Sequence, residues 1–279
     1  MQVIGLCRFS YVGLGGYKVT HDSLEERRAF LYAPERLEER FRLFETLCLP
    51  SVIGQTDQDF QLHIVIGECF PQIYLERLLK LTEPLPNVGV AAYPPARHRK
   101  QMIQVMNQAR IDRDAPCLQF RLDDDDAIAV DFIARLKQAA QEAEPIWRRY
   151  PMTTIDFNRG YTYRADATGL AIAPDREAYW ALALGVVVPA GSAKTIMHYG
   201  HHNLWKETPT LTFPDGDMYL RGHNGFNDSR LKGRGKPITH IPVTPDEADH
   251  LKTRFNVENA TVARAFSAPE LLPLSVEGE

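Results

Sequence analysis

The stretch Phe120-Arg121-Leu122-Asp123-Asp124-Asp125-Asp126-Ala127 governs the interpretation of the whole chain. Four consecutive aspartates follow an apolar run, residues 117–122, that is typical of a buried strand. Like charges this close repel one another and raise each other's pKa values, so the tract needs a compensating cation. In open α/β sheets ligands bind outside the carboxyl ends of strands, where this tract lies. Carboxylate oxygens suit Mg²⁺ or Mn²⁺, and a metal held there can bridge a diphosphate.

The same tract has a plainer interpretation as the solvated start of the helix that follows it. Asp126 or a neighbour would then cap that helix and favour its dipole. The position at the end of a strand favours a binding site over a simple cap. If the chain is extended here, alternation predicts that Asp125 faces the site and Asp124 faces away from it.

Strand-like and helix-like patterns alternate on both sides of the tract. Apolar runs predict further strands at 3–9, 62–66 and 88–92. Apolar residues at helical spacing predict one helix from Pro34 to Pro50, a second around Met102 and Met106, and a third over 130–140, which Pro145 ends. This alternation predicts a mainly parallel sheet with helices on both faces.

The second half of the chain has a different pattern of predicted secondary structure. We predict strands at 153–157 and 181–188, a hairpin over 160–173 that turns near 166–169, and a C-terminal helix from about Thr244 with a frayed tail.

Composition limits the classes of function. The chain has 279 residues, 44% hydrophobic and 24% charged, with a net charge of −4, which fits a globular protein and excludes broad attraction to nucleic acid. Its four cysteines, at positions 7, 48, 69 and 117, form no CxxC pair, so buried inert thiols are expected. With no predicted signal peptide or membrane span, we expect a cytoplasmic protein and leave peripheral membrane contact open.

Two segments together resemble a known group of enzymes. Residues 120–127 resemble the "fLDaDD" signature of family-2-type GT-A glycosyltransferases, and residues 49–66 resemble their "sl..Qt..dfeiivv" segment. Arg8-Phe9-Ser10 at the end of the first strand brings the likeness closer to the bacterial "putative rhamnosyltransferase" family. The resemblance extends over approximately residues 1–240.

This resemblance implies the α/β GT-A fold in a single domain, 1–279. Residues 1–130 would form the nucleotide-sugar-binding half, and residues 131–279 the acceptor-side half and tail. The implied function is metal-dependent transfer of a sugar, with Mg²⁺ or Mn²⁺ as cofactor. The donor would be dTDP-rhamnose or a UDP- or GDP-sugar, and the acceptor a hydroxyl of a glycan or another molecule.

The resemblance also implies roles by position. Asp123 would face the donor ribose or the metal, Asp125 would be the principal metal ligand, and Asp126 would contact the donor sugar. His223 lies in a late segment, 221–229, that resembles the family's "h..N.S" segment, where a histidine completes the metal shell; a structural histidine is the alternative. The family's acidic pair after the second strand is reduced to Glu68, which becomes the candidate for recognition of the base.

Basic side chains near the predicted strand ends suit the donor diphosphate. Arg97 and Arg99 open the helix before the acidic strand, although a solvated turn would also explain them. Arg8 ends the first strand, where an arginine without a partner is rare.

An inverting transferase also needs a base for the acceptor proton. We predict Asp215 or Asp217, with His202 as a third candidate. His198, His201 and His202 lack an HExxH context for zinc and are expected to line an acceptor cleft.

Two other functions stay open. A nucleotidyltransferase would need a phosphate loop rich in glycine and basic residues after the first strand, of which 13–18 is a poor version. A non-catalytic carbohydrate-binding protein of the same fold is the second. There is no Walker motif and no nucleophile elbow.

Overall fold

The structure is a computed structural model that describes residues 1–15, 21, 23–224 and 238–268. Residues 16–18 of the glycine-rich stretch, residues 225–229 of the late segment and the predicted C-terminal tail from 269 onward lie outside the described residues.

The strands, in chain order, are β1 Gln2–Arg8, β2 Gln61–Gly67, β3 Val88–Tyr93, β4 Cys117–Asp123, β5 Ala127–Ile128, β6 Thr153–Phe157, β7 Arg159–Asp166, β8 Gly169–Arg176, β9 Leu184–Val188, β10 Thr210–Phe213, β11 Tyr219–Gly222 and β12 Ile241–Pro242. The α-helices are α1 Leu24–Leu31, α2 Pro34–Leu43, α3 Leu49–Ile53, α4 Gln72–Thr82, α5 His98–Gln108, α6 Phe132–Glu142, α7 Glu144–Trp147, α8 Leu204–Glu207, α9 Pro245–Phe255 and α10 Asn259–Ser267. A π-helical turn, Phe44–Cys48, joins α2 to α3, and a 3-10 turn, His201–Asn203, precedes α8.

The larger sheet has the strand order β10-β6-β9-β4-β1-β2-β3. Strands β1 to β4 are parallel, whereas β9 runs antiparallel to both β4 and β6. The register of β1 on β4 pairs Leu6 with Arg121 and Arg8 with Asp123. The carboxyl ends of these two strands therefore meet beside the acidic tract. The predicted α/β class with a mainly parallel sheet is confirmed.

Strand β1 is buried on both faces, as expected for a continuous apolar run in a parallel sheet. Val3 and Cys7 belong to one hydrophobic cluster, and Ile4 and Leu6 belong to another. The absence of a side chain at Gly5 lets the neighbouring strands approach, since a Cβ there would lie 2.4 Å from the ring of a β4 phenylalanine. The strand that carries the site is therefore held tightly from both sides.

The smaller sheet has the order β12-β8-β7-β11-β5. Its β7–β8 hairpin closes between Asp166 and Gly169, and Gly169 has φ +105°, a conformation that favours glycine. The predicted hairpin is therefore confirmed. Strand β11 pairs antiparallel with β5, with Leu220 opposite Ala127. The second half of the chain is thus attached directly behind the tract.

Several predicted boundaries were wrong. The helix that begins at Pro34 does not end at Pro50, because the chain stays helical through the π-turn and into α3. Both Pro50 and Pro145 lie in the first turn of a helix, where a missing N–H costs nothing. Helices α1 and α4 were not predicted at all.

Other features agree with the sequence. The C-terminal helix begins with a capping box between Thr244 and Glu247, as α9. All four cysteines are free; Cys69 is half-buried and the others are buried. Among the residues described, no helix combines the length and the apolar character that crossing a membrane requires.

Candidate active site

The site is built where β1 and β4 end. Residues alternate along β4, so Arg121 and Asp123 lie on the opposite face from the buried Leu122. Arg8 Nη2 donates to Asp123 Oδ1 at 2.8 Å. The other Arg8 terminal nitrogen, Nη1, lies 3.2 Å from His98 Nε2 at the start of α5. Two strands and one helix thus fix the position of Asp123.

A cavity of about 540 Å³ opens at these strand ends, a size typical of a small-molecule site. Aromatic and apolar side chains form part of its wall, among them Tyr11, Trp180, Leu182, Met197 and Tyr199. Its charged lining consists of four aspartates and six arginines: Asp123, Asp124, Asp125, Asp126, Arg8, Arg36, Arg40, Arg99, Arg121 and Arg221.

Arginine neutralises the middle of the acidic tract. Arg40, on α2, donates from Nε to Asp124 Oδ2 at 2.8 Å, and a second nitrogen bonds the other oxygen of Asp124. Its Nη1 lies 2.7 Å from Asp125 Oδ2. Burial opposes the charge of Arg40, but these two carboxylates outweigh it and raise the pKa of Arg40 well above its usual value. The prediction that Asp124 faces away from the site was wrong, because Asp124 lines the cavity and shares one guanidinium group with Asp125.

The ends of the tract have different environments. Burial opposes ionisation of Asp123, but Arg8 and Arg121 outweigh it and hold the pKa of this carboxyl well below its usual range. Asp126 Oδ1 accepts the backbone N–H of Gly222 at 2.9 Å. Burial, and then the neighbouring aspartates, raise the pKa of Asp126 well above its usual value.

Arginines outnumber aspartates around the cavity, and two of its histidines, His98 and His201, do not add charge. Burial and then Arg8 lower the pKa of His98 to about 3, and burial and then Arg121 lower the pKa of His201 to about 4. Six guanidinium groups against four carboxyl groups leave the cavity positively charged. A tract that looks acidic in sequence therefore lies in a site that attracts anions.

A second cavity, of about 440 Å³, adjoins the first. Arg99, Tyr199, Gly200 and His202 line both, while the remaining lining residues lie at 198, 203, 206 and 207. The ring of His202 packs edge-on against that of His201 at 5.3 Å between centroids. His202 therefore lies at the junction of the two cavities.

Some of the predicted site residues come together around the main cavity, namely Arg8, Arg99, Asp123, Asp125, Asp126 and His202. Glu68 and Arg97 do not line it. Glu68 is exposed in the turn after β2, and Arg97 is exposed at the start of α5.

The two aspartates predicted as bases lie elsewhere. Asp217 forms ion pairs or hydrogen bonds with Arg159 at 2.8 Å, Tyr161 at 3.2 Å and His250 at 2.9 Å. Asp215 pairs with Arg135 at 2.6 Å, and its side chain is 69% exposed. Since neither lines the cavity, their geometry does not support the prediction that they take the acceptor proton.

His223 also lies outside the lining of the cavity. Its ring packs 5.4 Å from that of His240, and neither ring nitrogen has a partner among the described residues. Burial, followed by Arg221 and His240, lowers the pKa of His223 to about 4. The ring is therefore neutral at neutral pH, as a metal ligand must be.

The carboxylates nevertheless do not fit a divalent cation as they stand. Within the described ranges, no group of three or more His, Cys, Asp or Glu side chains surrounds a common point. Oxygens of Asp123, Asp124 and Asp125 already bind guanidinium groups. Binding of Mg²⁺ or Mn²⁺ at this tract stays a prediction.

Sequence reasoning missed four of the arginines, at positions 36, 40, 121 and 221. Arg36 donates to Ser10 Oγ at 2.8 Å, and it lies one turn before Arg40 on α2. The sequence held a signal for Arg121, since it interrupts a mostly apolar run that is typical of a buried strand. The burial of Arg36 and Arg40 is seen only in the structure.

Comparison with known proteins gives a family match. The family model described as "Putative rhamnosyl transferase" matches residues 2–236. No curated protein matches the chain.

The chain is only distantly similar to solved structures. The crystal structure of S. aureus TarS 1–349 is 12% identical with a TM-score of 0.42, over 80% of this chain and 60% of that one. The same fragment in complex with UDP is 12% identical with a TM-score of 0.40, over 80% and 61%. The chain spans about 60% of the TarS fragment, and so low a likeness says nothing of what it binds.

Proposed function

The chain belongs to the glycosyltransferase family described as "Putative rhamnosyl transferase", and from this premise we propose that it moves a sugar from a nucleoside diphosphate sugar to an acceptor hydroxyl. The observation that supports this most is the positively charged cavity at the ends of β1 and β4. Ligands of α/β sheets bind at such strand ends, and guanidinium groups match the oxygens of a diphosphate. The proposed donor is dTDP-rhamnose, a UDP-sugar or a GDP-sugar.

The cavity offers separate groups to separate parts of the donor. Arg8 and Arg99 are the proposed partners of the diphosphate. Asp123 and Asp126 would accept hydrogen bonds from the hydroxyls of the ribose and the sugar. As the sugar leaves, charge develops on the diphosphate, and fixed guanidinium groups stabilise that charge without reorganising.

The acceptor would enter through the second cavity, which is lined by the chain's second half together with Arg99. His202 lies between the two cavities, so it is the proposed base. As the acceptor oxygen bonds to the sugar carbon, the bond from that carbon to the diphosphate breaks, and His202 takes the acceptor proton.

The test is release of the nucleoside diphosphate. The full chain is incubated with dTDP-rhamnose, UDP-sugars and GDP-sugars, with and without glycan acceptors, in Mn²⁺ and in EDTA. The proposal expects release of dTDP, UDP or GDP and a product one sugar longer. Release of pyrophosphate would indicate a nucleotidyltransferase, and binding without turnover would indicate a carbohydrate-binding protein. The EDTA arm tests the predicted metal.

We also propose that the protein acts in the cytoplasm, with peripheral membrane contact open. Fractionation of cells that express the tagged chain tests this, since recovery only in a secreted or periplasmic fraction would contradict it.

A further inference from the structure

One arginine of the cavity differs from the rest. Arg8 pairs with Asp123, Arg40 pairs with two aspartates, and Arg36 donates to Ser10 Oγ. The remaining two also have contacts: Arg99 donates to a backbone carbonyl at 3.3 Å, and Arg221 lies 3.5 Å from the centre of the Trp180 ring. Within the described part of the chain, neither the Arg221 nor the Arg121 side chain has a hydrogen-bond or ion-pair partner, but Arg221 has the Trp180 ring and Arg121 has no aromatic partner either.

The surroundings of Arg121 make an unpaired charge costly. Its side chain is half-buried, and its register on β1 places it next to Leu6, two pairs before the Arg8–Asp123 pair. Arg8 and Arg99 repel it, while Asp123 and Asp126 attract it without forming a hydrogen bond to it. A charged group taken out of water without a partner is unfavourable. Arg121 therefore lowers the stability of the empty protein unless a ligand pairs with it.

An anion is the ligand that would remove this cost. A guanidinium group presents two parallel N–H donors, which match two oxygens of a phosphate group better than any neutral ligand. Arg121 faces the same cavity as Arg8, so one ligand with two linked phosphate groups can contact both arginines. A single carboxylate would satisfy only one of them.

We propose that Arg121 is a binding residue for the diphosphate of the donor, and that the protein binds this group through arginine in the absence of a divalent cation. The proposal rests on the proposed function for the identity of the ligand. Arg8 keeps its bond to Asp123, and Arg121 supplies a guanidinium group that forms no hydrogen bond or ion pair with a side chain among the described residues.

The experiment titrates the full chain with inorganic pyrophosphate by calorimetry in EDTA. Wild type should bind, and Arg121→Met should lose roughly 10- to 100-fold in affinity, as expected for one or two charge-assisted hydrogen bonds. Arg149→Met is the control, since it removes the same charge from an exposed position outside the cavity and should bind like wild type.

Melting temperature separates a binding role from a structural one. Without ligand, Arg121→Met should melt at or above the temperature of wild type, because repulsion from Arg8 and Arg99 is removed. A lower melting temperature together with lost binding would mean that Arg121 supports the fold, and would overturn the proposal. So would unchanged pyrophosphate affinity in Arg121→Met, or no binding by wild type in EDTA.

The outcome can be distinguished from failure of the proposed function. If pyrophosphate binds through Arg121 but no nucleoside diphosphate sugar is ever turned over, the assignment of Arg121 stands and the proposed function fails. If Arg121→Met turns over a donor as wild type does, the proposed function stands and the assignment of Arg121 fails.

Discussion

Arg40 reaches from α2 to two neighbouring carboxylates, Asp124 and Asp125, and all three side chains are buried. At the scale of single residues this contact explains how four adjacent aspartates are tolerated inside a protein. Repulsion between carboxylates is offset by a guanidinium group that binds two of them at once. The tract therefore depends on a residue more than eighty positions away in sequence.

We predict that Arg40→Met lowers the free energy of unfolding by about 3 to 5 kcal/mol, because it leaves two carboxylates buried without a partner. Chemical denaturation at pH 7 measures the change. Arg42→Met is the matched control on the same helix, where the arginine is half-buried and its bond to Ala268 is weak, at 3.4 Å. The control should change stability by less than about 1 kcal/mol.

A variant that removes all three charges, Arg40→Met with Asp124→Asn and Asp125→Asn, should recover part of the loss. If Arg40→Met alone unfolds at the same denaturant concentration as wild type, the buried pairs contribute nothing and this account of the tract is wrong.

The position of His202 between the two cavities predicts that it acts as the base. His202→Ala should reduce turnover roughly 100- to 10,000-fold while leaving donor affinity within about twofold, because a base acts only in the transition state. His198→Ala is the control, since His198 lines the second cavity but not the first. Turnover and donor affinity are measured by nucleoside diphosphate release and by calorimetry. Equal losses in both variants would point to acceptor binding instead of proton transfer.

At the scale of secondary-structure elements, Asp156 connects a strand to one wall of the main cavity. It lies on β6, and its carboxylate accepts the backbone N–H of Tyr179 at 3.0 Å and the hydroxyl of Thr212 at 3.2 Å. Tyr179 and Ala183 have φ of 62° and 51°, unfavourable for residues other than glycine. Between them lie Trp180 and its neighbours, which line the main cavity. One buried carboxyl thus helps to hold a strained wall of the site.

Burial raises the pKa of Asp156 to about 6, against the effect of its two hydrogen bonds. The folded pKa lies above the unfolded value of about 4, so the stability from this group is present below pH 4 and lost as the pH rises through 6. Asp156→Asn stays neutral throughout. Relative to wild type, its free energy of unfolding should therefore gain roughly 1 to 3 kcal/mol between pH 4 and pH 8.

Denaturation curves at pH 4, 5, 6, 7 and 8 measure this gain. Asp166→Asn is the control, since Asp166 is exposed and its hydrogen bonds to Thr168 lower the pKa of its carboxyl. A wild type and an Asp156→Asn variant whose stabilities run parallel across this range would refute the prediction.

How well each helix or strand could be predicted depends on how clear its pattern of apolar residues is. Strand β1 is a continuous apolar run and β4 is mostly apolar, so a buried strand was the natural interpretation of both. Pro50 is ambiguous in sequence, because proline both ends helices and opens them, and only the preceding π-turn decides between the two. Helix α1 has its apolar residues only at its two ends, so the pattern does not repeat at helical spacing.

The site was harder to predict than the fold. The aspartates could be found because four in a row are conspicuous, and Arg8 because it ends a buried strand. Arg36 and Arg40 come from a helix far away in sequence, and only the packing of α2 against the strand ends brings them to the tract. Pairing partners of charges are tertiary contacts, which neither spacing nor periodicity contains.

On the scale of the whole molecule, the tract is held from both halves of the chain. Arg40 comes before it, while the Tyr163 hydroxyl donates to the Asp125 carbonyl and the Gly222 N–H donates to Asp126. The approach at Gly222 is close, because a Cβ there would lie 2.9 Å from the Asp125 carbonyl oxygen and 3.1 Å from the Tyr163 hydroxyl.

Gly222→Ala should therefore push β11 away from the tract, lowering the melting temperature by several degrees and weakening pyrophosphate binding. Gly89→Ala is the matched control, as a Cβ at that strand position meets nothing within 4 Å. Thermal unfolding and calorimetry of both variants provide the measurement. Identical behaviour of Gly222→Ala and Gly89→Ala would show that the contact between β11 and the tract is loose.

The bond between Gly222 and Asp126 also limits how this enzyme can be recombined with its relatives. If the proposed division of the chain holds, exchanging acceptor-side halves is an obvious way to make chimeras with new specificity, and a crossover near residue 130 looks natural in the sequence. Yet the first half alone lacks Gly222, whose N–H binds the Asp126 carboxylate, and Tyr163, whose hydroxyl binds the Asp125 backbone carbonyl. A working chimera must therefore import a second half with a hydroxyl at this place on β7 and a glycine at this place on β11, so under the proposed function donor binding and acceptor choice would be inherited together.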